Sequence, residues 1–198
     1  TAGLEYNRDR LKDNMWGYDR HTDQTVNIYS AFLQNEWKND RWGILIGGRL
    51  DKHNMVDNVI FSPRANLRFN PTQNINLRLS YSAGFRAPQA FDEDMHIENV
   101  GGTVAMIERA KNLKEEKSQS FSASADMYHR FGVFQTNFLI EGFYTRLTDV
   151  FVLGEPYDRG DGILVKTRSN GPGAKVMGLT LEGKVAYLSI LQIQAGLT

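Results

Sequence analysis

Asn74-Ile75-Asn76-Leu77-Arg78-Leu79-Ser80-Tyr81-Ser82-Ala83-Gly84-Phe85-Arg86-Ala87-Pro88 carries Ile, Leu, Leu, Tyr, Ala and Phe at its odd positions. Its even positions are Asn, Asn, Arg, Ser, Ser and Gly up to Gly84. Successive side chains of a strand point to opposite faces, so the spacing predicts a strand with one unbroken apolar face and one polar face. The run lasts about 12 residues before Pro88 stops it, and a tilted transmembrane strand needs roughly 9–11. A half-buried strand of a soluble protein is usually about 5–6 residues long.

The same alternation recurs on either side. Trp42, Ile44, Ile46, Gly48 and Leu50 stand against Arg41, Gly43, Gly47, Arg49 and Asp51, and Ala65, Leu67 and Phe69 against Arg64, Asn66, Arg68 and Asn70. Further along, Phe121, Ala123, Ala125 and Met127 alternate with serines and Asp126, and Phe138, Ile140 and Tyr144 with Asn137, Glu141 and Thr145. Met177, Leu179, Leu181 and Val185 face away from Thr180, Glu182 and Lys184, and Leu191, Ile193, Ala195 and Leu197 from Gln192, Gln194 and Gly196. Residues 23–38 follow the pattern less cleanly, because Val26, Ile28 and Phe32 fall among the polar positions. Residues 163–169 and 174–187 read as one strand interrupted at Asn170-Gly171-Pro172-Gly173. About nine strands are expected, each with its connection taking roughly 22 residues.

The connections alternate in length. Those at 38–41, 71–73, 130–132 and 188–189 are short, and those at 8–23, 52–60, 87–116 and 148–162 read as long loops. The third, at roughly 28 residues, is far longer than the usual 2–6 and reads as irregular. Short turns on one rim and long loops on the other characterise outer-membrane barrels, and a soluble β-sandwich has no reason to sort them so. A barrel in lipid turns its apolar stripe outward and its charged stripe into a wide wet or plugged lumen. Arg41, Arg49, Arg64, Arg68, Arg78, Asp126, Glu141, Glu182 and Lys184 would then line the lumen. Trp37, Trp42, Phe61, Phe69, Phe85, Phe131 and Tyr187 lie at strand ends, where interfacial aromatics belong.

Composition excludes several classes. Lys plus Arg balances Asp plus Glu at 23 each, which removes the basic footprint of a nucleic-acid binder. With no Cys there is no disulfide framework and no thiol chemistry. No stretch near the N-terminus has the pattern of a signal peptide, and no 18-residue apolar run suggests a membrane helix. A mean hydropathy of −0.44 would suit a soluble protein, but averages are blind to strands with one lipid-facing and one water-facing side. No catalytic constellation of serine, histidine and acid, or of paired carboxylates, is expected, nor a cofactor.

Five segments, in order, resemble the TonB-dependent receptors of the outer membrane. They are Ser62-Pro63-Arg64, Gly84-Phe85-Arg86-Ala87-Pro88, Asn112-Leu113-Lys114-Glu115-Glu116, Phe143-Tyr144-Thr145-Arg146-Leu147-Thr148-Asp149-Val150, and Asn170 with Val176-Met177-Gly178-Leu179-Thr180. Glu115 replaces the family's usual Pro and Thr180 its usual Glu. The resemblance covers about two thirds of the chain. It implies an all-β fold of antiparallel up-and-down strands forming part of a large transmembrane barrel, incomplete because family barrels have about 22 strands. Residues 1–198 would be barrel without the plug domain. The function implied is energised uptake of a ferric siderophore, haem or cobalamin across the outer membrane of a Gram-negative cell, not enzymatic catalysis. Its implied partners are TonB with the inner-membrane energising complex, that ligand and the lipid bilayer, with no nucleic acid. A passive porin and a soluble β-sandwich binding module are the competing readings.

Ligand contacts are expected in the loop 87–116, from Arg86, Met95, His96 and Glu98. In the family's haem receptors a His lies between F-R-A-P and an N-P-N-L segment, and His96 falls between Phe85-Arg86-Ala87-Pro88 and Asn112-Leu113. Imidazole can ligate haem iron axially. Asp158-Arg159-Gly160-Asp161-Gly162 has oxygen groups near glycine but lacks the alternation and closing Glu of a calcium loop, so a solvated turn is expected.

Overall fold

The computed structural model describes residues 1–90, 98–100, 103–188 and 190–198. The strands β1 (Ala2–Met15), β2 (Arg20–Lys38), β3 (Trp42–His53), β4 (Ile60–Thr72) and β5 (Ile75–Arg86) follow one another as antiparallel neighbours. After β5 the chain forms two short strands, β6 (Glu98–Val100) and β7 (Thr103–Arg109). It then returns to the sheet as β8 (Glu116–Phe131) and β9 (Phe134–Thr148). A second excursion contains β10 (Phe151–Leu153), β11 (Tyr157–Asp158) and β12 (Leu164–Asn170), before β13 (Ala174–Tyr187) and β14 (Leu191–Leu197) complete the wall. The result is an open nine-stranded antiparallel sheet, as the alternation predicts.

Register explains how the stripes become faces. Trp37, Ile44, Leu67, Leu79, Ala123, Gly142 and Leu179 succeed one another strand by strand in one row. Among the described residues no second layer covers this face, and Leu79 and Leu179 remain 54% and 53% exposed. Ile140 and Leu181 are half-buried by their neighbours in the sheet. A two-layer sandwich would have sealed these positions, so the apolar face is built to meet lipid. Its aromatic margins are paired: Trp42 stacks on Phe69 at 4.2 Å and Phe134 meets Tyr187 at 5.2 Å near the short turns. Tyr6 stacks on Tyr29 at 4.8 Å, and Tyr81 meets Phe121 at 4.7 Å with the rings tilted, toward the other end. Eight residues separate Tyr29 from Trp37, about 26 Å of strand or about 20 Å after a tilt of about 40°. That is close to the apolar band of about 25 Å that such barrels present.

The two prolines of β4 sit where they cost the ladder least. The pairing of β4 with β5 begins at Arg64, one residue after Pro63, and shifts register between Phe69 and Thr72, around Pro71. A missing N–H is tolerated at a ladder's end or a bulge. The turn between β8 and β9 places Gly132 at φ +58°, a left-handed conformation that glycine adopts without steric penalty.

Three expectations need correction. Residues 8–23 are not a loop: β1 and β2 stay paired as far as Met15 and Arg20, and only the single 3-10 turn Trp16–Tyr18 and Asp19 connect them. Above Tyr6 and Tyr29 no apolar period marks the strands, and cross-strand ion pairs take its place. Arg10 bonds Asp23 at 2.9 Å and Arg20 bonds Asp13 at 3.0 Å. Residues 163–169 are not the first half of β13. All but Ile163 belong to β12, which leaves the wall and pairs in parallel with β7, Leu164 opposite Ala105 and Arg168 opposite Arg109. The connection 87–116 is accordingly not wholly irregular. Together β10, β12, β7 and β6, with β11 beside β12, make a second sheet out of the two longest connections.

Burial concentrates at the long-loop end. Ala105, Met106 and Val165 of the second sheet are at most 1% exposed, and Asp51 and His53 at the top of β3 are 2% and 0% exposed. Val26, which broke the alternation of β2, is buried there too, beside Gln24, whose Oε1 accepts the Ala90 N–H at 2.9 Å.

Candidate functional site

The outer end of the sheet gathers the motif residues into one clasp. Arg86, the last residue of β5, stands directly across from Glu116, the first of β8, and its guanidinium lies 5.6 Å from the centre of the Phe151 ring. The Glu116 carboxylate accepts the Phe151 N–H at 2.9 Å. Asn170 pairs with Phe151 across the second sheet. Its Oδ1 accepts the Lys114 N–H at 2.8 Å, while its Nδ2 donates to the carbonyls of Lys114 at 3.0 Å and Asp149 at 2.7 Å. One amide therefore ties the returning foot of the first excursion to both feet of the second. Asp149 turns the chain there at φ +54°. Arg109 adds a further tie, donating to the Pro88 carbonyl at 3.0 Å. An Asn170→Ala variant loses three such bonds and should be less stable by about 1–2 kcal/mol, the net value of modestly exposed hydrogen bonds. Limited proteolysis should then cut the 149–173 connection faster while the wall strands stay protected; unchanged cleavage would contradict the clasp.

A second cluster occupies the polar face of β1 to β3. Asp51 accepts Ser30 Oγ at 2.5 Å and Arg49 Nε at 2.8 Å, and Arg49 reaches Ser30 Oγ at 2.8 Å and Glu5 at 2.9 Å. Two rows above, His53 Nδ1 accepts the Met55 N–H at 3.0 Å. The ring proton must then sit on Nε2, which faces Gln89 Oε1 at 3.4 Å, so His53 is a neutral, satisfied, buried histidine. Sequence reasoning put Arg49 and Asp51 on the right face but missed His53, although it continues their parity.

The expected ligand contacts are unevenly placed. Arg86 lies on the polar face at the mouth, and Glu98 opens β6, opposite Ala105. Met95 and His96 lie outside the described residues. Among the described residues no group of three or more His, Asp or Glu is placed to hold a metal. In the Asp158–Gly162 turn, Asp158 accepts the Gly160 N–H at 2.7 Å and Asp161 accepts the Ile163 N–H at 3.2 Å. The hydrogen bond from Arg159 holds the Asp161 carboxyl below the usual carboxylate range. These oxygens are spent on the turn itself. Of the polar-face charges, Arg49, Arg64, Arg68, Arg78, Asp126, Glu141, Glu182 and Lys184 do share one face by register. Arg41 lies outside the strands, in the turn after β2, its N–H held by Asn39 Oδ1 at 3.0 Å and its carbonyl accepting the Asn70 N–H at 2.7 Å.

Comparison with known proteins agrees with this geometry. The family model for the TonB dependent receptor-like β-barrel matches residues 1–198. No curated protein matches the chain. Among solved structures, the siderophore receptor PirA from Pseudomonas aeruginosa superposes with a TM-score of 0.76 at 15% identity, over 98% of this chain and 44% of that one. The ferric enterobactin receptor PfeA (Q482A mutant) from Pseudomonas aeruginosa, in complex with enterobactin, gives 0.71 at 17% identity, over 100% of this chain and 33% of that one. The FrpB iron transporter from Neisseria meningitidis gives 0.61 at 17% identity, over 88% and 25%. At such identities the likeness is one of fold, and the chain spans less than half the length of each.

Proposed function

We propose, for a chain that belongs to the TonB-dependent receptor β-barrel family, that it forms part of the wall of a receptor taking up a ferric siderophore. The family resides in the outer membrane, and its fold is that of receptor and transport barrels. The organism is Gram-negative in this reading. A plug domain fills the bore of the whole protein, and TonB, driven by the inner-membrane complex, displaces it to admit the ligand. The observation that carries the reading is the unbroken apolar face of nine strands set against a charged one, with both long excursions gathered at one end. Iron chelates are favoured over cobalamin because the structural neighbours named above are siderophore receptors and an iron transporter.

In this reading Arg86, Met95, His96 and Glu98 meet the ligand at the mouth, Arg86 supplying positive charge to an anionic chelate. The test is uptake of radiolabelled ferric siderophore by cells carrying the full receptor. Transport should require TonB and should fall about tenfold in Arg86→Ala, the effect of losing one charge-assisted contact. Equal uptake with and without TonB would point to a passive porin. Haem titration of the receptor and its His96→Ala variant tests the haem alternative, and equal affinities would remove His96 as an iron ligand.

A further inference from the structure

The outward face of the wall carries its cations at one end. By register Arg8, Arg10 and Lys12 of β1, Lys52 of β3, Lys117 of β8, Arg146 of β9 and Lys175 of β13 share the face of the apolar stripe. Lys52 is level with Tyr6 and Tyr29, and Arg146 and Lys175 lie two residues beyond Tyr144 and Met177, on the long-loop side. At the short-turn end the same face shows Trp37, Trp42, Phe69, Phe138 and Tyr187, while Lys38, Arg130 and Lys184 take the opposite parity. On β1 the charge changes sign across the strand: Glu5, Asp9 and Asp13 point to the bore side, and Arg8, Arg10 and Lys12 between them point out. Asp23 and Glu115, beside the outward cations, are taken by Arg10 and by Lys117, each at 2.9 Å. Arg8, Lys52, Arg146 and Lys175 are exposed and pair with no carboxylate among the described residues. Lys52 donates only to the carbonyls of Val56 at 3.0 Å and Asp57 at 2.7 Å. Arg146 and Lys175 are direct cross-strand partners, and like charges so placed are destabilising on their own.

We propose that these four cations bind the phosphate groups of anionic lipid headgroups in the leaflet on the long-loop side, Arg8 and Lys52 on one sector of the wall and Arg146 with Lys175 on another. The inference needs the apolar face to stand in a bilayer and is independent of the ligand taken up. Depth is the first reason. Two residues beyond the aromatic row is about 6.6 Å along a strand, or about 5 Å along the membrane normal after a tilt of about 40°. The headgroup layer is about 5–7 Å deep on each side, so Arg8, Arg146 and Lys175 fall within it. Continuity is the second, because the cations extend the stripe that meets the acyl chains. Spacing is the third: β1 and β9 stand six strands apart, about 29 Å, so the two sectors converge on no single small anion, whereas a leaflet offers a phosphate to each.

The test places the full-length receptor in phosphatidylcholine nanodiscs holding a minor share of phosphatidic acid and counts the lipids it retains by native mass spectrometry. Heat-modifiable gel migration reports that each variant's barrel has formed. Wild type should retain phosphatidic acid in preference to phosphatidylcholine. R8Q/K52Q and R146Q/K175Q should each weaken that preference roughly fivefold per cation removed, the effect of one basic residue at an anionic surface. R146K/K175R should keep it, and so should K38Q/R130Q, which removes two cations from the short-turn end. A wild type without preference, full preference in both Gln variants, or an equal loss in K38Q/R130Q would overturn the inference. Displacement of the retained lipid by inorganic phosphate would also overturn it, by assigning the cations to a free anion.

Discussion

Leu79→Arg should destabilise the wall by about 2–4 kcal/mol, the penalty for a cation at the middle of a barrel's lipid face. Leu79 lies near mid-height of β5, 54% exposed on the apolar face, with Leu67 and Ala123 as its cross-strand neighbours. An arginine there has no acid to pair with, and its guanidinium must snorkel about 10 Å to reach headgroups. Ser80→Arg, one residue on, points into the bore between Asn66 and Ser122 and should cost no more than about 1 kcal/mol, the repulsion from Arg64, Arg68 and Arg78 beside it included. Urea unfolding of the receptor in phospholipid vesicles measures both. Equal losses at 79 and 80 would contradict the assignment of faces.

Asp51→Ala should cost about 2–3 kcal/mol, the second-largest effect. Removing the carboxylate leaves the Ser30 hydroxyl and one Arg49 N–H without their acceptor in a site where Asp51 itself is only 2% exposed. Breaking a fully buried pair costs about 3–5 kcal/mol; the estimate is lower here because Arg49 stays 38% exposed and keeps Glu5. Asp51→Asn preserves shape and one acceptor and should lose about half as much. If Asp51→Ala matches wild type in the same unfolding titration, the Glu5–Ser30–Asp51–Arg49 network is not a tie between β1, β2 and β3.

The wall was legible in the sequence because lipid and water impose a period of two on everything between the aromatic margins. Where that contrast ends, the period ends with it. Asp9 to Met15 and Arg20 to Thr22 continue as strands on ladder bonds and ion pairs that no hydropathy pattern records. Leu164 to Asn170 looks like a strand and is one, but its partner β7 lies over fifty residues earlier and runs parallel, which no local pattern encodes. The run Val104-Ala105-Met106-Ile107 carried a signal that went unused: four successive apolar residues fit a strand covered on both sides, which alternation does not detect. At the mouth, the motif residues Arg86, Glu116, Asp149 and Asn170 could be picked out one by one. That they close on each other through Phe151 and Lys114 required coordinates, because the bonds run between backbone and side chains far apart in the chain.

A cysteine scan of β5 tests the central claim most directly: residues 1–198 contain no Cys, so in a receptor whose remaining thiols, if it has any, are replaced by serine each introduced thiol is unique. With the receptor in membranes, probes at positions 77, 79, 81 and 83 should be quenched by lipid-borne quenchers, while thiols at 76, 78, 80 and 82 should react with a water-soluble maleimide. Loss of this two-residue alternation, or thiols at 77 and 79 shielded from lipid and water alike, would mean that the apolar stripe packs against protein and that the wall does not stand in a bilayer.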